Sequence, residues 1–142
     1  MEIPRPTIKI SNAAIILALG LSALTCQASD SKSWDATLIG DWHGSSVCIV
    51  RPSACNDEDS LYHVAKIADR PGWFSMKADK IVSGKPVTMG TVECSGDEAR
   101  RTLDCEFERG VFQFGIQGNE MQGSMKLKGG TLWRKISLKK TK

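Results

Sequence analysis

The chain has 142 residues, a formal net charge of +3 and a hydrophobic content of 41%. This length supports one domain with a single core, and the absence of internal repeats or low-complexity linkers in the sequence excludes a multidomain organisation. The small charge excess argues neither for nor against a nucleic-acid partner, and we expect none.

The N-terminus has the features of a secretory signal peptide. The basic residues Arg5 and Lys9 precede an apolar run over residues 13–24, which is too short to span a membrane comfortably. The small residue Ala28 suits cleavage at that point, so we predict a signal peptide over residues 1–28. The protein is therefore expected to be periplasmic or secreted.

Cys26 offers an alternative, in which the chain is anchored as a lipoprotein through this residue. Bacterial lipoprotein signals place leucine three residues before the cysteine and glycine or alanine directly before it. Here Ala23 and Thr25 occupy these positions, so the motif fits poorly. Removal of Cys26 together with the signal peptide is the preferred interpretation.

Residues 29–36 are polar and are predicted to form a flexible leader, which places the domain at residues 37–142. Within the domain, short alternating runs are separated by turn residues and no helical period stands out. This pattern predicts an all-β domain. The eight predicted strands are residues 37–51, 60–68, 73–82, 87–95, 101–108, 111–117, 120–128 and 131–139.

The last four predicted strands agree on one apolar face. Two-residue turns at 109–110, 118–119 and 129–130 determine which residues lie opposite each other, because hairpin register follows from the turn. The expected inward pairs are Phe107 with Phe112, Cys105 with Phe114, Ile116 with Met121, Phe112 with Met125, Met125 with Arg134 and Leu127 with Leu132. Such an antiparallel meander must cover its apolar face and its edges. A single eight-stranded up-and-down barrel does so, and a two-layer β-sandwich is the alternative.

The four cysteines of the predicted domain are expected to form two disulfides, as is typical of a short exported chain. Of the three possible connectivities we prefer Cys48–Cys55 with Cys94–Cys105, because the second pair flanks a polar turn symmetrically. A metal site is the alternative. It is disfavoured because the sequence contains no Cys-x-x-Cys motif and only His43 and His63 could assist. We therefore expect neither a metal nor a cofactor, and we assign no role to the two histidines.

A Gly-x-Trp motif, Gly40 and Trp42, stands at the head of the first strand, and Arg134 is the one charged residue expected on the inner face of the last strands. Because the first and last strands pair in a closed barrel, Trp42 and Arg134 are expected to meet, with the guanidinium against the indole face. This arrangement resembles the lipocalin-like, or calycin, barrels of the exported bacterial type. In that family an arginine or lysine of the last strand packs across the tryptophan of the motif. The resemblance implies that Gly40, Trp42 and Arg134 have a structural and not a catalytic role.

Catalysis is not expected. Asp41, His43 and Ser45 lie close in sequence, but alternate residues of a strand are about 7 Å apart. That distance is too long for the direct hydrogen bond between a nucleophile and its base. The sequence also lacks the G-x-S-x-G motif of a nucleophile elbow.

The first functional hypothesis is that the barrel binds a small apolar or amphipathic ligand in its open end without a chemical step. For a domain of this size a filled or nearly filled interior is the preferred interpretation by a small margin, but methionine and phenylalanine are also typical of adaptable apolar pockets. The inward-facing Gly123 could leave room for a ligand. The candidate ligand-binding residues are Phe74, Met76, Phe107, Phe112, Phe114 and Met125.

The second hypothesis is an exported inhibitor or protein-interaction module that acts through loops or a basic surface. Trp133 is expected to point outward, with Lys126 opposite and Lys135 beside it, which gives a candidate contact surface for an anionic partner. An indole ring covered by lysine stems is the simpler interpretation. Under either hypothesis we expect a monomer.

Overall fold

The computed structural model describes residues 32–141, which form one short helix followed by eight antiparallel strands. The predicted signal peptide, Cys26 and residues 29–31 of the predicted leader lie outside the described residues. The elements are α1 (Trp34–Leu38), β1 (Gly40–Cys48), β2 (Glu58–Lys66), β3 (Trp73–Val82), β4 (Lys85–Asp97), β5 (Thr102–Phe107), β6 (Gly110–Gln117), β7 (Glu120–Leu127) and β8 (Leu132–Lys140).

The strands follow chain order around a closed barrel, in which β8 pairs with β1. This topology confirms the predicted up-and-down barrel, and the alternative of a two-layer sandwich is wrong. Both predicted disulfides are also confirmed. Cys48–Cys55 joins the end of β1 to the loop before β2, and Cys94–Cys105 links directly opposed residues of β4 and β5. Each bond closes a short loop, which in the chain-entropy model stabilises the fold by about 2–3 kcal/mol.

Helix α1 differs from the sequence-based expectation of a leader to residue 36 and a strand from residue 37. Ser33 caps it by accepting a hydrogen bond from a first-turn backbone N–H at 3.3 Å. Trp34 and Leu38 are almost fully buried, with exposed fractions of 6% and 0%. The Leu38 carbonyl accepts a hydrogen bond from the Trp42 indole at 2.9 Å. A five-residue helix is too short to show a helical period, so the sequence pattern did not indicate it.

The cation that packs on Trp42 is Lys140, and the predicted contact between Trp42 and Arg134 is wrong. Trp42 lies opposite Lys140 in the β1–β8 pairing, whereas Arg134 lies opposite Cys48 at the other end of β1. The Lys140 ammonium is 5.5 Å from the centre of the Trp42 ring. It also donates hydrogen bonds of 2.8 Å to two carbonyls of α1. β8 runs antiparallel to β1, so its last residue, Lys140, lies beside the first part of β1, which contains Trp42.

Gly40 begins β1 with a φ of 135°, a conformation that favours glycine over other residues. The chain can therefore turn directly from α1 into β1 and place Trp42 beneath the helix. Burial, with a smaller contribution from the charge of Lys32, lowers the pKa of Lys140. The Gly-x-Trp motif is thus part of a sealed barrel end.

The β5–β6 hairpin is shifted by two residues from its predicted register. Cys105 lies opposite Phe112, where the sequence predicts Phe114, because the turn falls at residues 108–109 and not at 109–110. A shift of two residues preserves the inward and outward faces, so the same side chains point into the barrel. The β6–β7 register is confirmed, with Phe112 opposite Met125.

A bulge in the β7–β8 pairing reverses two side chains of β8. Towards the sealed end the pairs are as predicted, but Leu132 lies opposite Lys126 and not opposite Leu127. The one-residue shift puts Leu132 on the outer surface beside Lys126, and it turns Trp133 towards the interior. The prediction that Trp133 points outward is therefore wrong.

The sealed half of the barrel is filled by large side chains. Trp42, Phe74 and Phe114 are among the largest fully buried residues. The room expected beside Gly123 is taken by Phe114, since a Cβ on Gly123 would lie 2.3 Å from a Phe114 ring atom and 2.6 Å from the Gln113 carbonyl oxygen. Gly123 therefore serves ring packing and leaves no ligand space.

We predict that Gly123→Ala destabilises the fold by about 1–3 kcal/mol, because the added methyl group overpacks the Phe114 ring. Gly90→Ala is the matched control, since a Cβ at Gly90 would meet no atom within 4 Å. Its expected effect is within about 0.5 kcal/mol. Urea unfolding of the two variants measures the difference, and equal stabilities would contradict this account of Phe114 packing.

Candidate functional site

The unsealed half of the barrel contains a cavity of about 580 Å³. Its volume lies within the range of about 300–1,000 Å³ that is typical of small-molecule sites. Residues from all eight strands contribute to its wall. The lining residues are Ser46, Glu58, Tyr62, Met76, Ala78, Met89, Gly90, Thr91, Val92, Phe107, Arg109, Phe112, Met125, Leu127, Trp133 and Arg134.

The wall formed by β3 to β7 is mainly apolar. Met76, Phe107, Phe112 and Met125, four of the six candidate ligand-binding residues, line the cavity there. The rings of Phe107 and Phe112 stack with their centres 5.2 Å apart. This wall offers a ligand a flat aromatic surface between flexible methionine side chains.

The other two candidate residues, Phe74 and Phe114, do not line the cavity. Both are buried in the sealed half, with exposed fractions of 0% and 2%. They form the core beneath the cavity, with the Phe114 ring stacked 6.1 Å from that of Phe112. Alternation along a strand predicts that a residue faces inward, but it does not predict how deep in the barrel the residue lies.

The wall formed by β8, β1 and β2 is polar and is organised by Arg134. One terminal nitrogen of Arg134 donates to Glu58 Oε1 at 3.1 Å. The other donates to Ser46 Oγ at 3.3 Å and to the Asn56 carbonyl at 3.0 Å. Arg134 and Glu58 are both largely buried, so their opposite charges compensate each other in the cavity wall. Arg134 thereby joins the last strand to the first hairpin.

Two further hydroxyl groups belong to this polar wall. Burial, followed by the negative charge of Glu58, raises the pKa of Tyr62 to about 12, so its phenol is neutral at physiological pH. Ser60 lies between Glu58 and Tyr62 on the inward face of β2 and is fully buried. Its hydroxyl is near enough to the Tyr62 phenol for a hydrogen bond that favours the ionised phenol, which is a smaller effect on the Tyr62 pKa than burial. Ser60 is not among the lining residues, so it supports Tyr62 from behind the cavity wall.

Sequence reasoning missed Glu58, Tyr62, Met89 and Arg109 as cavity residues. Arg134 was expected to face inward, and an inward guanidinium needs an acidic or aromatic partner. Glu58 could have been predicted as that partner. The Cys48–Cys55 disulfide holds the chain just before Glu58 at the end of β1, and Arg134 lies opposite Cys48 there. Met89 could not be placed, because the β3–β4 pairing contains a bulge next to Ala78.

The predicted surface of Lys126, Trp133 and Lys135 is not formed as one patch. Trp133 is half-buried at the cavity, whereas Lys126 and Lys135 remain on the outer surface beside Leu132. The Lys126 ammonium donates to the Gln113 side chain at 3.4 Å. The three residues therefore belong to two different surfaces.

The two histidines lie in ion-pair contacts on the outer face of β1 to β3. His63 bridges Asp41 and Asp79 through its two ring nitrogens, at 2.6 and 3.0 Å. His43 lies 2.7 Å from Asp59. Burial would raise the pKa of Asp79, but hydrogen bonds from Thr88 and His63, together with nearby positive charge, outweigh it and lower that pKa. These contacts connect strands across the barrel surface.

No protein-family model matches this chain, and no curated protein is significantly similar to it in sequence. The closed eight-stranded barrel fits a calycin-like fold by its architecture. None of the helices within residues 32–141 is long and apolar enough to cross a membrane. The same residues contain no group of three or more side chains arranged to hold a metal ion.

We predict that the tyrosine absorbance of the folded protein titrates with a midpoint of about 12. Tyr62 is the only tyrosine of the chain, so the signal reports this residue alone. Because the folded pKa is raised, the associated stability is fully present below the unfolded value of 10.0 and is lost as the pH rises through the folded value. Glu58→Gln should lower the midpoint, and Glu106→Gln on the outer surface should not. A midpoint near that of the denatured chain would contradict the burial of this phenol.

We also predict that Arg134 is energetically coupled to Glu58 and not to Trp42. In a double-mutant cycle, Arg134→Ala with Glu58→Ala should show an interaction free energy of about 0.5–3 kcal/mol. Arg134→Ala with Trp42→Phe should be additive within about 0.5 kcal/mol, because the two residues lie at opposite ends of the β1–β8 pairing. Urea unfolding measures both cycles. Coupling of Arg134 to Trp42 and additivity with Glu58 would contradict this assignment and support the contact predicted from sequence.

Proposed function

We propose that this protein is an exported lipocalin-like barrel that binds a small apolar or amphipathic molecule in its open end, without a chemical step. The observation that carries this proposal is the cavity of about 580 Å³ with one apolar and one polar wall. The apolar wall supplies affinity through burial, at about 25 cal/mol for each Å² of apolar surface removed from water. The polar wall orients the ligand through a few hydrogen-bonding groups.

The division of the barrel into two halves sets the depth of the proposed site. Phe74 and Phe114 fill the sealed half, so a ligand enters only as far as the layer of Met76 and Phe112. Beneath that layer Gly123 is covered by the Phe114 ring. The ligand is therefore a compact molecule, or the end of a longer one.

Export is part of the same proposal. The two disulfides are of the kind that persists in a periplasmic or extracellular environment. They agree with the signal-peptide pattern over residues 1–28, whereas lipidation at Cys26 fits that pattern poorly. A monomeric state and the absence of a cofactor, a metal and a nucleic-acid partner stay predictions.

An exported protein-interaction module is the second candidate. The observation that favours it is the exposed apolar tip of the β3–β4 hairpin, where Val82 and Val87 are 47% and 44% exposed. Exposed apolar groups beside a binding cavity are also typical of a partner contact. Binding of a protein at this tip would not require the cavity itself.

The proposed function is tested with N-phenyl-1-naphthylamine, an uncharged amphipathic dye whose fluorescence rises in apolar sites. We expect saturable binding of one dye per protein and quenching of the tryptophan fluorescence, to which Trp133 in the cavity lining contributes. Gly90→Phe should weaken binding about tenfold or more, because a Cβ at Gly90 meets no atom within 4 Å and the ring beyond it would occupy cavity space.

Gly115→Phe is the matched control, since it adds the same ring on the outer surface of β6. Both variants should retain the circular dichroism spectrum of the wild-type protein. If the wild-type protein does not bind the dye, or if folded Gly90→Phe binds it as well as wild type, the proposed site is wrong.

A further inference from the structure

The barrel wall is open between the upper part of β4 and the tip of the β5–β6 hairpin. β4 has 13 residues, but its register with β5 runs only from Cys94 opposite Cys105 to Asp97 opposite Thr102. Residues 85–88 and 90–93 of β4 pair with β3, and within the described chain residues 85–93 have no pairing partner on β5. The backbone of β4 is therefore uncovered on this side.

Gly90 and Arg109 both lie at this opening, Gly90 on the part of β4 that has no partner on β5 and Arg109 in the turn after β5. Val92 and Phe107 are each two residues from the Cys94–Cys105 pair on the side of the opening. All four residues line the cavity. A Cβ on Gly90 would meet no atom within 4 Å, so there is free space on the β4 side. The opening therefore leads from the surface into the cavity.

The charges of the cavity lining do not balance. Glu58, Arg109 and Arg134 are its three charged residues. Glu58 and Arg134 pair with each other at 3.1 Å. Arg109 is exposed and, among residues 32–141, has no carboxylate oxygen within 4.0 Å of its guanidinium. The opening thus carries one uncompensated positive charge beside an apolar wall.

We propose that this opening is the entrance for an amphipathic anion and that Arg109 binds its acidic group. A guanidinium donates two parallel N–H bonds to a carboxylate, sulfate or phosphate, and the positive charge at the entrance attracts such an anion. The apolar part of the ligand then lies on Phe107 and Phe112, which flank the turn that carries Arg109. This inference rests on the proposed function and names its ligand class.

The geometry also disfavours a cationic ligand. The one carboxylate of the lining, Glu58, is already paired with Arg134, which is held in addition by Ser46 and Asn56. A cation that approached Glu58 would have to displace Arg134 from these hydrogen bonds. A cation at the entrance would meet Arg109 directly. Recognition should therefore follow the order anion, neutral molecule, cation.

The test compares three ligands with the same apolar tail, namely decanoate, 1-decanol and decyltrimethylammonium, by isothermal titration calorimetry below their aggregation concentrations. We expect wild-type protein to bind decanoate about tenfold or more tightly than 1-decanol, with the cation weakest. Added salt should lower the affinity for decanoate relative to that for 1-decanol, because salt screens the attraction between Arg109 and the carboxylate.

Arg109→Gln should remove the advantage of decanoate over 1-decanol, so that the ratio of the two affinities falls to about one. Arg100→Gln is the matched control, because it makes the same charge change on an exposed turn at the sealed end, where Arg100 pairs with Asp97. It should leave the order of the three ligands intact. Gly90→Phe should weaken all three, since it fills the shared cavity.

Each result separates this inference from the proposed function. Equal affinity for the three ligands, blocked by Gly90→Phe, would keep the cavity as the binding site and overturn the anion preference. An equal loss of decanoate binding in Arg109→Gln and Arg100→Gln would also overturn it, because general attraction by net charge would then be sufficient. Failure of the wild-type protein to bind both the uncharged dye and all three ligands would overturn the proposed function itself.

Discussion

The pairing of the first strand with the last determines most of what this barrel can do. β1 and β8 are antiparallel from Trp42 opposite Lys140 to Cys48 opposite Arg134. At one end of this seam Trp42 is covered by α1 and by the Lys140 ammonium, which excludes water. At the other end Arg134 is held by side-chain and backbone oxygens. The same seam thus seals one end of the barrel by apolar packing and lines the other with polar groups.

The cavity follows from how the two halves are packed. Large rings fill the sealed half, and the cavity wall has smaller residues such as Ser46, Ala78 and Gly90. Both irregularities of strand pairing occur at the cavity end, one beside Ala78 in β3–β4 and one beside Lys126 in β7–β8. A bulge re-aims the side chains beyond it. Here the bulges bring Met89 and Trp133 to the cavity, so the departures from regular pairing shape the candidate site.

The chemistry of the cavity wall is suited to recognition. Tyr62 is held neutral by burial and by the charge of Glu58, and Glu58 and Arg134 form a largely buried ion pair. The disulfide Cys48–Cys55 restrains the loop that carries the Asn56 carbonyl on Arg134. A polar wall that is preorganised in this way can orient a ligand without moving, which keeps the entropic cost of binding low.

The sequence by itself was enough to predict the barrel, both disulfides and the inward face of the last four strands, except at Leu132 and Trp133. The reason is that side chains alternate with a period of two, and the two-residue shift at Cys105 leaves that alternation intact. Only the tertiary structure decided that Lys140 packs on Trp42, that Glu58 pairs with Arg134 and that Trp133 faces the cavity. The closure of the barrel decides which strand ends lie next to each other, and a bulge shifts the inward–outward alternation of side chains by one residue. Both are properties of strands that are distant in sequence, and no local pattern contains them.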